Sequence, residues 1–175
     1  MLPRRITGLI DALVNPSLVF VPRGYLFGLT LSNNATDATN DIDIAAGECS
    51  SDDSGTLNRR RLILPATNVK QLDVDFAEYT AIGTASGGKD SSVAIANDTW
   101  HTFLIGGPGK DPQGFFSTSL SPTLPTGFVW KKYIHSIIRA SGAILAFQQY
   151  DDEMWLDTPV LDETQTAPGT SAVTI

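Results

Sequence analysis

His101 and His135 are the two histidines of this 175-residue chain, and a general base is the first chemistry to look for around them. Ser136 and several aspartates could complete a Ser/His/Asp arrangement, but no nucleophile elbow surrounds a serine. Both histidines fall inside expected strands, which favours packed or surface side chains, with a pH-sensitive contact between subunits as a lesser role. The run Gly106-Gly-Pro-Gly-Lys110 invites a phosphate loop. That loop needs a hydroxyl residue after the lysine and a helix behind it, whereas Asp111-Pro112 and another strand follow here, so the run reads as a turn. Asp37, Asp41, Asp43, Glu48, Asp52 and Asp53 are hard oxygen donors of the kind that hold calcium. They lack the spacing of the twelve-residue calcium loop, and alternation puts Asp41 and Asp43 on a wet face opposite Ile42 and Ile44. Asp151 and Glu153 are a same-face carboxylate couple with the chemistry of a glycosidase pair; their plainer reading is a solvated hairpin end. No catalytic residue, cofactor or metal is expected.

Composition narrows the classes further. A formal net charge of −7 disfavours nucleic acid, because phosphate neutralisation needs a clustered basic surface. The one basic run, Arg59-Arg60-Arg61, leads straight into Leu62-Ile63-Leu64 and reads as the start of a strand with at least one arginine in an ion pair or interface. Cys49 is the sole cysteine, so an intrachain disulfide is impossible and a cysteine-based zinc site nearly so. No run approaches the roughly 18 apolar residues of a membrane span. The N-terminus lacks a cleavage signal, so the Asn34-Ala-Thr36 and Asn97-Asp-Thr99 sequons are expected to be chance matches. With 42% hydrophobic and 18% charged residues, one well-buried domain is expected.

The elements that would position these residues are mostly strands. Ile6, Leu9, Ile10, Leu13 and Val14 form the stripe of a short amphipathic helix, closed by Asn15-Pro16. Residues 1–23 therefore read as an arm whose stripe needs a partner. From Tyr25 to Leu31 the period is two, and the polar run Ser32 to Asn40 is a loop of side chains that bond their own backbone. Asp41 to Ala46 alternates again. Arg61–Leu64 reads as a strand, and Val69–Phe76 as a strand or one helical turn. Gly83 to Ser92 offers no core side chains and reads as a long surface loop. Thr99–Ile105 with Gly114–Thr118 makes one hairpin, Phe128–Arg139 with Ile144–Tyr150 a second across Ala140-Ser-Gly-Ala143, and Glu153–Leu156 a further short strand. The expected fold is mainly β, an antiparallel, jelly-roll-like β-sandwich over 24–162, with a tail over 163–175 that starts another strand.

An ordered set of phrases gives a family. Gly28-Leu-Thr-Leu-Ser-Asn-Asn34, Asn40-Asp-Ile-Asp-Ile-Ala-Ala-Gly-Glu48, Thr99-Trp-His-Thr-Phe-Leu-Ile105, Phe116-Ser-Thr-Ser119 with Pro122-Thr-Leu-Pro-Thr-Gly-Phe128, and Ile134-His-Ser-Ile-Ile-Arg-Ala-Ser-Gly-Ala-Ile144 are similar to a domain of tailed-bacteriophage virion proteins. The resemblance spans about Gly24 to Asp162. The chain departs from the family's usual Arg-Arg-Ile-Gly-Ser phrase, reading Lys132-Tyr-Ile-His-Ser136, and family members run on past the equivalent of Ile175. The resemblance implies a tail-fibre, baseplate or other tail-associated component in the virion, with a capsid decoration or head-fibre protein as the alternative and a carbohydrate-active enzyme as a distant one. Expected partners are further copies of the chain, as a homotrimer, and other virion proteins held through Ile6, Leu9, Ile10 and Leu13. A host-surface glycan is the third expected partner, met by the polar loops at Asn33, Asn34, Asp37, Ser86 and Lys89.

Overall fold

The computed structural model describes residues 22–52, 59–151 and 153–158. Those residues form thirteen strands and no helix. The expected mainly β fold holds. The helical stripe at Ile6, Leu9, Ile10 and Leu13 and the tail over 163–175 lie outside the described residues.

Eight strands make one large sheet: β2 (Leu31–Asn33), β3 (Asp41–Ile44), β6 (Asn68–Asp75), β7 (Ser86–Lys89), β8 (Thr99–Gly107), β9 (Lys110–Ser117), β10 (Trp130–Ala140) and β11 (Ala143–Ile144). Their order across the sheet is β11-β10-β8-β9-β7-β6-β3-β2. The sheet curls until its ends meet: Ile144 N donates to Thr39 O at 2.9 Å, and Leu31 N donates to Gln149 Oε1 at 2.7 Å. A second sheet, β1 (Leu26–Gly28), β4 (Gly47–Ser50) and β5 (Arg61–Leu64), lies over it in the order β1-β4-β5. A ribbon of β12 (Phe147–Tyr150) and β13 (Glu153–Leu156) completes a nearly closed β-sandwich.

Inward residues of the sheets share one core, built on Leu29, Ile42, Ile44, Leu62, Leu64, Leu72, Trp100, Leu104, Phe116 and Ile137. Phe103, Ile105, Phe115 and Phe128 form a smaller cluster that Phe76 joins edge-on. The first expected hairpin is present, but the second holds only at its turn: Ala143–Ile144 pairs with β10, whereas Phe147–Tyr150 leaves that sheet and pairs with β13. Ser141 and Gly142 follow one another at φ 52° and 83°, the double positive φ of a tight two-residue hairpin turn.

Three expectations are corrected. Tyr25 to Leu31 is not one strand: Gly28 and Leu29 both take positive φ, 66° and 59°, and the chain leaves the small sheet for the large one. Gly28 is required there, because a Cβ would lie 2.5 Å from Ala46 O. The sandwich is not wholly antiparallel, since β7 pairs parallel with both β6 and β9. And β7 falls in the segment read as a surface loop. Gly87 and Gly88 are buried; a Cβ on Gly88 would sit 2.8 Å from the Phe116 ring and 3.0 Å from Lys70 Cβ. This strand buries backbone where others bury side chains, so it carries no apolar pattern to read.

Candidate interaction surfaces

Lys70, on β6, is fully buried, at 0% exposure, and no carboxylate among the described residues hydrogen-bonds it. Its Nζ donates to Ala77 O (2.9 Å), Ser86 Oγ (2.8 Å), Gly87 O (3.1 Å) and Gln113 Oε1 (2.9 Å), and lies 4.8 Å from the centre of the Phe76 ring. An ammonium has three donors, so four acceptors hold it fully occupied. Burial still disfavours the charge and pushes its pKa down to about 7. The amine is sealed from solvent, and its contacts stitch β7 to its two neighbours.

The predicted loop residues turn out to serve the fold. Lys89 is only 7% exposed; its Nζ pairs with Asp75 and donates to Val93 O at 2.8 Å. Ser86 is the acceptor for Lys70. Both are therefore corrected from surface loop to central strand. Asn34 Oδ1 accepts from Thr36 N and Asp37 N, and Asp37 Oδ1 from Thr39 N and Asn40 N, as expected of a self-bonding loop. Asn33 Oδ1 accepts from Phe147 N at 3.2 Å, tying β2 to the ribbon. Strands β3 and β6 separate β2 from β7, so the two groups of residues do not make one site.

The acidic residues also disperse. Asp41 is 6% exposed, against the expectation of a wet face: the turn before β3 folds back beside it, with Asp41 N donating to Asp37 O at 3.0 Å, whereas Asp43 on the same strand is half-buried. Burial first, then the charges of Asp37 and Asp73, push its pKa up to about 6. Glu48 pairs with Arg61, and Asp52 accepts from Lys132 Nζ and Tyr133 N, each at 2.8 Å. Among the described residues no three acidic, histidine or cysteine side chains converge as metal ligands. Cys49 is buried, which raises its thiol pKa to about 12.

His101 Nδ1 meets Ser136 Oγ at 2.7 Å, and Tyr133 OH meets the same oxygen at 2.8 Å. No carboxylate among the described residues hydrogen-bonds His101, and the cluster lines none of the described cavities. It ties β8 to β10. Glu153 Oε2 accepts from Trp155 Nε1 at 3.1 Å, which engages one member of the proposed glycosidase couple with its own ribbon.

Both smaller sheets carry open surfaces with large exposed apolar side chains, and Leu120 and Val129 are exposed singly outside them. Phe27, Glu48 and Ile63 stand in register across β1, β4 and β5 on the face opposite the buried Cys49, Leu62 and Leu64. Phe27 is 69% exposed. A shallow cavity of about 440 Å³ lies among Tyr25, Phe27, Glu48 and Ile63. Its floor is fixed: the Tyr25 hydroxyl donates to Glu48, and Arg61 Nε reaches the same carboxylate at 2.8 Å. The hydrogen bond from Tyr25, then that from Arg61, lower the Glu48 pKa, and the Tyr25 pKa rises in return. Ile63 continues into a groove of about 900 Å³ bounded by Arg60, Trp130, Lys110 and the β8–β9 turn. There the Arg60 guanidinium lies 5.5 Å over the Trp130 ring, and Lys110 Nζ pairs with Glu78 at 2.6 Å. The basic run thus does start a strand and supply an ion pair, and Gly106 to Lys110 is a hairpin turn.

Comparison with protein-family models, curated proteins and solved structures finds no match to this chain.

Proposed function

We propose that this chain is a structural subunit of a tailed-bacteriophage virion, of the tail-fibre or baseplate kind, used in several copies as a self-associating trimer. The observation that carries the reading is the outward face of the small sheet. Phe27 and Ile63 are large apolar side chains standing in water on a rigid three-stranded platform. Tyr25 and Arg61 beside them are residue types enriched where interfaces concentrate their binding energy. Contiguous exposed apolar surface of this kind marks an interaction site in a soluble protein. The occupant that suits it is a second copy, since Glu48 and Arg61 at its centre give one patch both signs of charge. The family phrases between Gly28 and Ile144 supply the virion setting.

Size-exclusion chromatography with light scattering on the full chain is expected to give a trimer, and a Phe27→Asp/Ile63→Asp variant a folded monomer. Immunogold labelling of phage particles is expected on the tail. Label on the head would make the chain a capsid decoration protein, and unlabelled particles would overturn the virion reading.

A further inference from the structure

The β12–β13 ribbon carries a second open surface of different chemistry. Its inner side chains Phe147, Met154 and Leu156 pack into the core. Period two therefore turns Gln148, Tyr150, Glu153 and Trp155 to the other face. Gln148 stands directly opposite Trp155, and Tyr150 directly opposite Glu153, so all four share that face. Trp155 is 61% and Tyr150 60% exposed.

The two rings are held with their polar ends already satisfied inside the ribbon. Trp155 Nε1 donates to Glu153 Oε2 at 3.1 Å, Tyr150 OH donates to Gln148 Oε1 at 2.6 Å, and Gln148 Nε2 donates to Asp157 Oδ1 at 3.1 Å. What remains free is ring face, preordered, so little side-chain freedom is lost on binding. Each carboxylate has about four lone-pair positions, and hydrogen bonds from the described residues use one on each of Glu153 and Asp157. The platform thus combines flat apolar rings with acceptors for hydroxyl groups. With Asp151 at the turn, its charge is negative throughout, which repels phosphate, sulfate and carboxylate ligands.

We propose that this face binds uncharged saccharide, with sugar rings stacked on Trp155 and Tyr150 and their hydroxyls donating to Glu153 and Asp157. The proposal names the partner class for the host-facing role of the virion reading and rests on that reading for its biological meaning. The binding itself is independent of it.

Affinity electrophoresis of the full chain tests it, with dextran, galactomannan and yeast mannan as neutral probes and polygalacturonate and dextran sulfate as charged ones. At least one neutral polysaccharide is expected to retard the protein and neither charged one. Trp155→Ala should weaken the retardation at least tenfold and Tyr150→Ala several-fold, while Trp155→Tyr, which keeps a ring, restores most of it. Circular dichroism confirms that each variant is folded. No retardation by any neutral probe, retardation only by the charged ones, or binding unchanged in Trp155→Ala would each overturn the proposal. Retardation by a neutral probe together with unlabelled particles would remove the virion reading and leave the saccharide site standing.

Discussion

The middle of the large sheet and the outer faces of the two small ones break the same rule in opposite directions. Around β7 the protein buries charge: Lys70, Lys89 and, on β3, Asp41. On β1, β5 and the β12–β13 ribbon it exposes Phe27, Ile63, Tyr150 and Trp155. Lys70 and Lys89 are hydrogen-bonded, Asp41 keeps one buried oxygen without a partner, and the outward exceptions lie on paired strands. The buried lysines therefore join the strands, and the exposed rings and Ile63 are where the proposed partners would dock.

Four measurements can break or sharpen that contrast. The largest effect is expected at Lys70. Lys70→Ala empties the space of a fully buried side chain, a large-to-small core change that costs about 2–5 kcal/mol, and takes one donor from Gly87 O and Gln113 Oε1, which keep Ala77 N and Tyr79 N; it should lower urea-unfolding stability by more than about 3 kcal/mol. Lys70→Met, which refills the volume, should cost less. A loss under about 1 kcal/mol for Lys70→Ala would make the lysine incidental to the fold.

Next comes Asp41. Its folded pKa of about 6 stands above the ordinary 3.8, so folding takes up a proton, and stability falls as pH rises from about 3.8 to about 6. Across that window wild type should lose up to about 3 kcal/mol relative to Asp41→Asn. Lys70 has the opposite limb: its pKa drops from 10.5 to about 7, so its contribution recovers as pH rises between those values. Together the two groups place a stability minimum near pH 6–7, and a flat difference between wild type and Asp41→Asn would refute the buried carboxylate.

A smaller effect belongs to Gly88→Ala, whose methyl meets the Phe116 ring and Lys70 Cβ; overpacking of this kind costs about 1–3 kcal/mol. Gly83→Ala, where a Cβ meets nothing within 4 Å but φ is +87°, isolates backbone strain for comparison. The smallest effect on stability is expected at Phe27→Ser, within about 0.5 kcal/mol as for surface changes generally. Its trimer should nonetheless be weaker and dissociate already at higher protein concentration than the wild-type trimer, and a large loss of monomer stability would mean that Phe27 belongs to the core.

Strands with apolar alternation or strong β propensity were legible. Thr99–Ile105 and Phe128–Arg139 carry aromatic and β-branched residues and became β8 and β10. β7 was not legible, because Gly87 and Gly88 pair through backbone in a slot that excludes side chains. Asp41 was misread for a related reason: alternation tells which residues share a face but not that a neighbouring strand and loop will cover both. The same ambiguity hid the ribbon surface. Period two separates Tyr150 and Trp155 from Met154 and Leu156, yet only the packing of Phe147, Met154 and Leu156 against the core shows which side is outward. The Phe27 face required the sheet switch at Gly28 and Leu29, where a non-glycine residue at positive φ leaves no sequence signal.

β7 also governs the order in which the chain can assemble. Hairpins β8–β9 and β10–β11 close over short turns, and local contacts form early. β7 has too little side-chain surface to attract its neighbours, and its parallel partners are brought in by longer connections. Its slot is therefore expected to fill after the surrounding strands are in place, when the Lys70 ammonium meets its acceptors. In pulse-labelled hydrogen exchange during refolding, amides of Gly87 to Lys89 should become protected later than those of Phe103 to Ile105. Protection of Gly87 to Lys89 as early as that of Phe103 to Ile105 would overturn this order.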